Sequence, residues 1–314
     1  MSLKVGIIVI TLLGIIISPP SYAEEDVMHI VVWDERQPKQ KLMYENFLGN
    51  HIADFLRKQT GFSIRSAGLD DPKQGLTEEI LEKCDVLIWW GHVRQGEISI
   101  ATAQRLVQRI RAGQLSLIVL HSAHWSAPFM IAMEERTRQD ALASLPASER
   151  AKAKVEFAGK FQRKIPNRNA QLTPSVSYEK GADGTMGIRI VRPNCCFPEW
   201  KAHGKPSKMK TLLPNHPIAK DLPREFAIPQ TEMYGEPFHV PKPDAVVFEE
   251  TWEAGQRFRS GAIWKLGKGK IFYYRPGHEN FNVFHQPESL KIVANAARWL
   301  GSDIAKQKKQ KREK

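Results

Sequence analysis

Two short runs, 85–90 (Asp-Val-Leu-Ile-Trp-Trp) and 115–120 (Leu-Ser-Leu-Ile-Val-Leu), are apolar almost throughout instead of alternating. A strand that is apolar on both sides must be covered on both faces, as in a parallel sheet with helices above and below it. Residues 29–33 and 62–66 read as further strands, and 44–58, 77–83 and 98–112 between them carry helical spacing. In 44–58, Phe47, Leu48, Ile52, Phe55 and Leu56 fall on one face, and Gly113 gives the 98–112 helix a stop. This alternation predicts an α/β fold, a mostly parallel sheet with helices on both faces.

The regularity breaks near residue 134. Residues 134–164 are charged, Ala-rich and helical in propensity, whereas 165–184 is a Pro, Asn, Ser and Gly stretch without periodicity. We read 134–190 as an insertion lying over the domain, not a second core. Strands are expected again at 186–191, 245–248, 257–264 and 270–274, the last two joined by Leu266-Gly267-Lys268-Gly269. Pro287 opens a terminal helix through 300, with Leu290, Val293, Ala294, Ala297 and Leu300 as its apolar stripe. There is no internal repeat, P-loop or dinucleotide fingerprint, so no nucleotide cofactor is expected.

Lys4, an apolar run from Val5 to Ile17, Pro19, Pro20 and then Ser21-Tyr22-Ala23 fit a secretory signal peptide cut after Ala23. The run is too short to span a ~30 Å hydrocarbon core comfortably, which disfavours the rival reading of an uncleaved anchor. The expected organisation is a signal peptide at 1–23, a domain at 24–303 and a basic disordered tail at 304–314, in a protein exported to the periplasm or beyond the cell. Three cysteines are too few for a disulfide framework. The formal charge of +12 is partly in that tail and otherwise scattered, with no Lys/Arg stripe interleaved with aromatics. No specific nucleic-acid partner is expected, and the tail is read as touching anionic surfaces. Self-association into a homo-oligomer stays open.

In open parallel sheets ligands bind at the carboxyl ends of the strands. The residues there are Asp34 and Glu35, His92, His121, Ser122 and His124, and Arg275 with His278 and Glu279. Imidazoles and carboxylates gathered at one edge either bind a divalent metal or run acid/base chemistry near neutral pH. His92 alone reads as well as a hydrogen-bonded loop residue. Ser122 follows a buried strand as a nucleophile would, but Leu120 and His124 stand where an elbow needs glycines, and a hydroxyl capping the next helix is the simpler reading. Glu232 and Glu236 flank Met233-Tyr234-Gly235; either faces the crevice or is solvated, and for Glu236 position alone favours the solvated state. Trp89, Trp90, Trp125, Trp200 and Tyr234 offer faces for a ligand ring as readily as for a core.

Val32-Trp33-Asp34-Glu35, Leu87-Ile88-Trp89-Trp90-Gly91-His92, Leu117-Ile118-Val119-Leu120-His121-Ser122-Ala123-His124, Glu232-Met233-Tyr234-Gly235-Glu236, Tyr274-Arg275-Pro276-Gly277-His278-Glu279 and Asn295-Ala296-Ala297-Arg298-Trp299-Leu300 stand in collinear order over 28–133 and 193–300. Together they resemble the ThuA-like trehalose-utilisation family. The resemblance implies a flavodoxin-like, class I glutamine amidotransferase-like fold and a role in disaccharide catabolism through 3-keto sugars. Amidotransferases carry a nucleophilic Cys where this chain has His121-Ser122, so thiolate glutamine hydrolysis is not expected. The expected function is a metal-assisted hydrolase, lyase or isomerase acting on a small carbohydrate, a glycoside or keto-sugar. The expected catalytic residues are His121, Ser122, Glu236, His278 and Glu279. Asp34, Glu35, Trp90, Tyr234 and Arg275 are expected to bind substrate, and His92, His124 and Cys196 to hold zinc or another divalent metal. The rivals are a non-catalytic sugar-binding protein and a surface-associating protein held by its basic tail.

Overall fold

A computed structural model describes residues 27–161 and 163–312; the expected signal peptide lies outside the described residues. The first half of the chain alternates as β1 (Met28–Asp34), α1 (Leu48–Arg57), β2 (Phe62–Gly68), α2 (Glu78–Lys83), β3 (Val86–Trp90), α3 (Ile100–Arg111), β4 (Ser116–Leu120) and α4 (Ala127–Ala143). A single turn, α5 (Ala147–Arg150), leads to β5 (Lys154–Ala158), β6 (Ser175–Lys180) and β7 (Met186–Val191). Then follow β8 (Glu199–Lys201), β9 (Ser207–Thr211), β10 (Glu225–Ile228), β11 (Met233–Gly235), β12 (Ala245–Thr251), β13 (Arg257–Leu266), β14 (Gly269–Tyr274) and α6 (Pro287–Arg312).

Nine strands form one sheet in the order β10-β9-β12-β13-β14-β4-β3-β1-β2. Its β2, β1, β3, β4 and β14 run parallel, and β13, β12, β9 and β10 extend it antiparallel. The fold is the expected α/β sheet with helices on both faces, its parallel half extended by antiparallel strands, and β3 and β4 are buried at every position. Alternation splits the central strands between two cores. Trp33, Trp89, Val119 and Tyr273 face α2, α3 and α4, whereas Val32, Trp90, Leu120 and Tyr274 face α1 and α6. Leu48, Ile52 and Leu56 of α1 are fully buried, each stabilising by roughly 1.5–3 kcal/mol relative to exposure. The helix starts later than the apolar spacing suggests: Tyr44 precedes it, buried, with its hydroxyl donating to Phe281 O at 2.9 Å. Thr77, Ser99 and Ser126 cap α2, α3 and α4 by accepting from Ile80, Thr102 and Phe129 N–H groups. Gly113 ends α3 at φ 73°, as its sequence position implies.

Two expectations are corrected. Residues 154–158 are not helical: β5 pairs with β7 and β7 with β6 in a separate three-stranded sheet, whose Ile188 and Ile190 bury against Ala141 and Leu145 of the α4 end. The insertion therefore has a small core of its own. The segment read as a disordered tail continues α6 to Arg312, with Ile304 and Ala305 buried and Lys308 Nζ 3.0 Å from Asp85 Oδ1. Among the described residues no helix is long and apolar enough to cross a membrane.

Candidate functional site

In the spatial order β2-β1-β3-β4 all strands are parallel, but β2 is added on one side of β1 and β3 and β4 on the other. The topological switch therefore falls between β1 and β3, where a parallel sheet opens a crevice at its carboxyl edge. Glu35, just past β1, shapes that edge. Its carboxylate accepts from the main-chain N–H groups of His92, Val93 and Arg94 at 2.8–2.9 Å, fixing the loop after β3. His92 then reaches Glu279, whose two oxygens lie 2.8 and 3.0 Å from its Nδ1. His121 follows β4 at φ 53°, a left-handed backbone at the strand-to-helix elbow, so the strained residue is His121 and not Ser122. Gly277, at φ 129°, lets the chain after β14 pass close: a Cβ there would stand 2.7 Å from Phe284 and 3.5 Å from His121 Cβ.

The rings of His92, His121 and His278 converge, with centroids 4.9–5.7 Å apart. His121 Nδ1 donates to Arg275 O at 3.1 Å. Its Nε2 therefore keeps its lone pair. That atom is buried without a hydrogen-bond partner and lies 3.3 Å from Glu232 Oε2. His278 Nδ1 accepts from the Asn280 N–H at 3.2 Å, and Glu279 Oε2 lies 3.4 Å from the same nitrogen. Burial raises the Glu232 carboxyl to about 7 and lowers His278 to about 4. Burial also holds His121 well below the usual imidazole value, with the neighbouring His278 and His92 adding to the effect. For His92 burial opposes the charge, but the hydrogen bond and charge of Glu279 outweigh it and raise the pKa; Glu279 is correspondingly lowered.

Above this floor lies a cavity of about 350 Å³ lined by His92, Ser122, His124, Phe197, Glu232 and Tyr234, with Trp125, Trp200 and the 163–165 segment around its mouth. Two donor groups have ligand atoms within 4.8 Å of one another: His92, His278 and Glu279, and His121, Glu232 and His278. The expected metal trio is not among them. His124 and Cys196 line the cavity, but His124 Nδ1 is engaged with Cys195 O at 2.6 Å, and burial lowers that ring to about 3 and raises the Cys196 thiol to about 11.

Several strand-end residues play structural parts. Asp34 is buried and accepts from Arg36 N, Gln40 Nε2 and Gly49 N at the start of α1. Trp90 points into the core on the α6 side, its Nε1 donating to Gly277 O at 2.9 Å, so it offers no face to the cavity. Arg275 has no exposure and binds Glu250, Thr231 and the carbonyl of Glu232. Glu236 does not line the crevice and, though part-exposed, is not free in solvent; Arg259 takes both of its oxygens at 2.7 and 3.0 Å. Ser122 does not cap the following helix, since Ser126 does; its Oγ lies 3.2 Å from the Tyr234 hydroxyl. Glu232 is the carboxylate of its loop that faces the crevice, and Arg163, in the part of the insertion read as helical, carried no sequence signal.

An α/β sheet with a parallel half, helices on both faces and a histidine- and glutamate-floored cavity at its carboxyl edge defines the class: a flavodoxin-like, glutamine amidotransferase-like fold with a crevice at the topological switch. The family model described as ThuA, trehalose utilisation, matches residues 30–300, and the chain belongs to that family. Its fold is shared with a ThuA-like protein of Parabacteroides merdae at TM-score 0.55 and 13% identity, covering 88% of this chain and 91% of that one. A ThuA-like protein of Bacteroides uniformis matches at TM-score 0.51 and 13% identity, over 90% of this chain and 95% of the other. No curated protein matches the chain.

Proposed function

We propose that the chain is an exported enzyme of carbohydrate metabolism that acts on a glycoside or keto-sugar of the trehalose type, with a divalent cation of the zinc class seated by His121, Glu232 and His278. The family supports the carbohydrate assignment, and the leader at 1–23 supports export. The observation that carries the site reading is the pair of facing acceptors: His121 Nε2 and Glu232 Oε2 stand 3.3 Å apart in a buried setting, the nitrogen without a hydrogen-bond partner. Two lone pairs so placed repel unless a cation or a proton lies between them. Imidazole nitrogen with carboxylate oxygen suits zinc. In the structure His278 Nδ1 accepts from the Asn280 N–H, so His278 joins this donor set through Nε2 only once its proton moves to Nδ1, toward Glu279, and that bond is given up. Such a cation supplies Lewis-acid polarisation of a sugar carbonyl or activation of a water.

The remaining chemistry belongs to the chain's own side chains. Glu279 holds the His92 ring by Nδ1, which leaves Nε2 to take or return a proton at a sugar hydroxyl or at the carbon beside a carbonyl. Tyr234 and Phe197, tilted against each other with centroids 4.0 Å apart, and the indoles of Trp125 and Trp200 give the cavity the apolar faces on which sugar rings rest.

Elemental analysis of protein purified without a polyhistidine tag tests this reading, with His121→Ala and Glu232→Gln beside the wild type. Near-stoichiometric zinc, lost in both variants, is the expected result. The raised pKa of Glu232 favours one other reading, in which a protonated Glu232 donates to His121 Nε2; absence of metal after metal-replete growth assigns the gap to that proton.

A further inference from the structure

Among the described residues, every other arginine that is buried or half-buried pairs with a carboxylate, as Arg94 does with Asp70 and Glu97, Arg259 with Glu236 and Arg275 with Glu250. Arg163 has no such partner among the described residues. It is half-buried at the cavity mouth, its Cζ 4.9 Å from the Trp125 ring centroid. The loop after β3 makes room for it: a Cβ on Gly96 would stand 3.2 Å from Arg163 Nη1. Burial lowers its pKa, as expected of a guanidinium partly stripped of water without an anion to compensate. The exposed Lys164 beside it lines the same cavity.

A guanidinium held over an indole by its cation–π contact, with no carboxylate partner, keeps its N–H fork available for a two-oxygen acceptor. We infer that the ligand of this cavity carries an anionic group, a carboxylate or a phosphate, that seats on Arg163 and Lys164 at the mouth while its sugar ring lies over the histidine floor. The inference rests on the sugar reading given above. It keeps the glycosides and keto-sugars of that reading but puts acidic ones, uronate or phosphorylated, in place of neutral trehalose, and gives the insertion a part in selecting them.

Calorimetric titration at fixed ionic strength with D-glucuronate, D-glucose 6-phosphate, D-glucose and trehalose tests it. One of the two anionic sugars should bind at least about tenfold more tightly than glucose, the scale of a charge-assisted hydrogen-bonded pair, and which one does so identifies the anion. Arg163→Met should bring that ratio to about one, and Arg163→Lys, which keeps the charge but loses the fork, should leave it in between. Arg57→Met, which removes an exposed cation elsewhere, should preserve it, and circular dichroism confirms that each variant is folded. A wild-type ratio near one, or a ratio that survives Arg163→Met, overturns the inference. If no sugar binds, the sugar reading fails on its own. Inorganic phosphate and acetate then decide: binding that requires Arg163 keeps the anion seat, and its absence overturns that too.

Discussion

At Arg275 a fully buried guanidinium is held by an equally buried Glu250, and one of its nitrogens also holds the carbonyl of Glu232. Arg275→Met leaves the Glu250 charge without its partner and should destabilise the fold by about 3–5 kcal/mol, read as a lower urea midpoint. The double variant Arg275→Met/Glu250→Met should recover part of that loss, and no recovery would mean that the charge is not the cause. Asp34 gives a prediction in pH. Burial raises its carboxyl to about 6 against an unfolded value near 4. Its contribution is therefore fully present below pH 4 and is lost as pH rises through about 6, on the order of 2–3 kcal/mol. In Asp34→Asn an amide faces a donor among Arg36, Gln40 and Gly49, a cost that does not vary with pH. The stability difference between wild type and Asp34→Asn should thus shift toward the variant from pH 4 to pH 8, and a flat difference would refute the raised carboxyl. These residues also show what a strand end tells and what it hides. The parallel pattern correctly gathered Glu35, His92, His121, His278 and Glu279 at one edge. Which neighbour turns inward depends on strand pairing and alternation, so Trp90 and Arg275 were indistinguishable in sequence from cavity residues.

The end of α6 illustrates the same gap for elements. Its lysines read as a solvated tail because charge counts cannot see a buried acceptor, yet Lys308 Nζ meets Asp85 Oδ1 at 3.0 Å and Cys84 O at 2.7 Å beneath the sheet. Asp85 is 1% exposed and its other oxygen accepts from His29 N, so the lysine supplies the charge that this carboxylate needs. Lys308→Met should cost about 1–3 kcal/mol and speed amide exchange in the last turns of α6. An unchanged urea midpoint with unchanged exchange would show that the helix end is not docked. The helices α2 and α3 were legible to within a residue or two because Thr77, Ser99 and Gly113 mark their ends chemically. Of the small sheet β5-β7-β6 only β7 was legible, at 186–191; β5 and β6 were not, since they alternate around Gly, Pro and charged residues and only Ile188 and Ile190 of the sheet are well buried. Its pairing is set by contact with the α4 end, a tertiary fact.

For the whole molecule, the groups around the facing acceptors come from distant parts of the chain. His92 follows β3, His121 follows β4, His278 follows β14, and Glu232 precedes β11, which lies outside the main sheet and pairs with β8. A cation seated among them would tie the parallel half of the sheet to the segment that closes the cavity, and the unfolded chain would hold no such seat. Binding to the folded state alone stabilises by about 2.7 kcal/mol at a hundredfold excess over the dissociation constant. In a chain of this size that corresponds to a rise in melting temperature of roughly 5 °C. Zinc added to metal-stripped protein should produce such a rise and a chelator should reverse it. His121→Ala, which removes the orphaned nitrogen, should melt at the same temperature with and without zinc. If saturating zinc, manganese and magnesium all leave the wild-type transition in place, no cation joins these segments. The acceptors then share a proton, and the chemistry of the cavity rests on Glu232 and the His92–Glu279 pair alone.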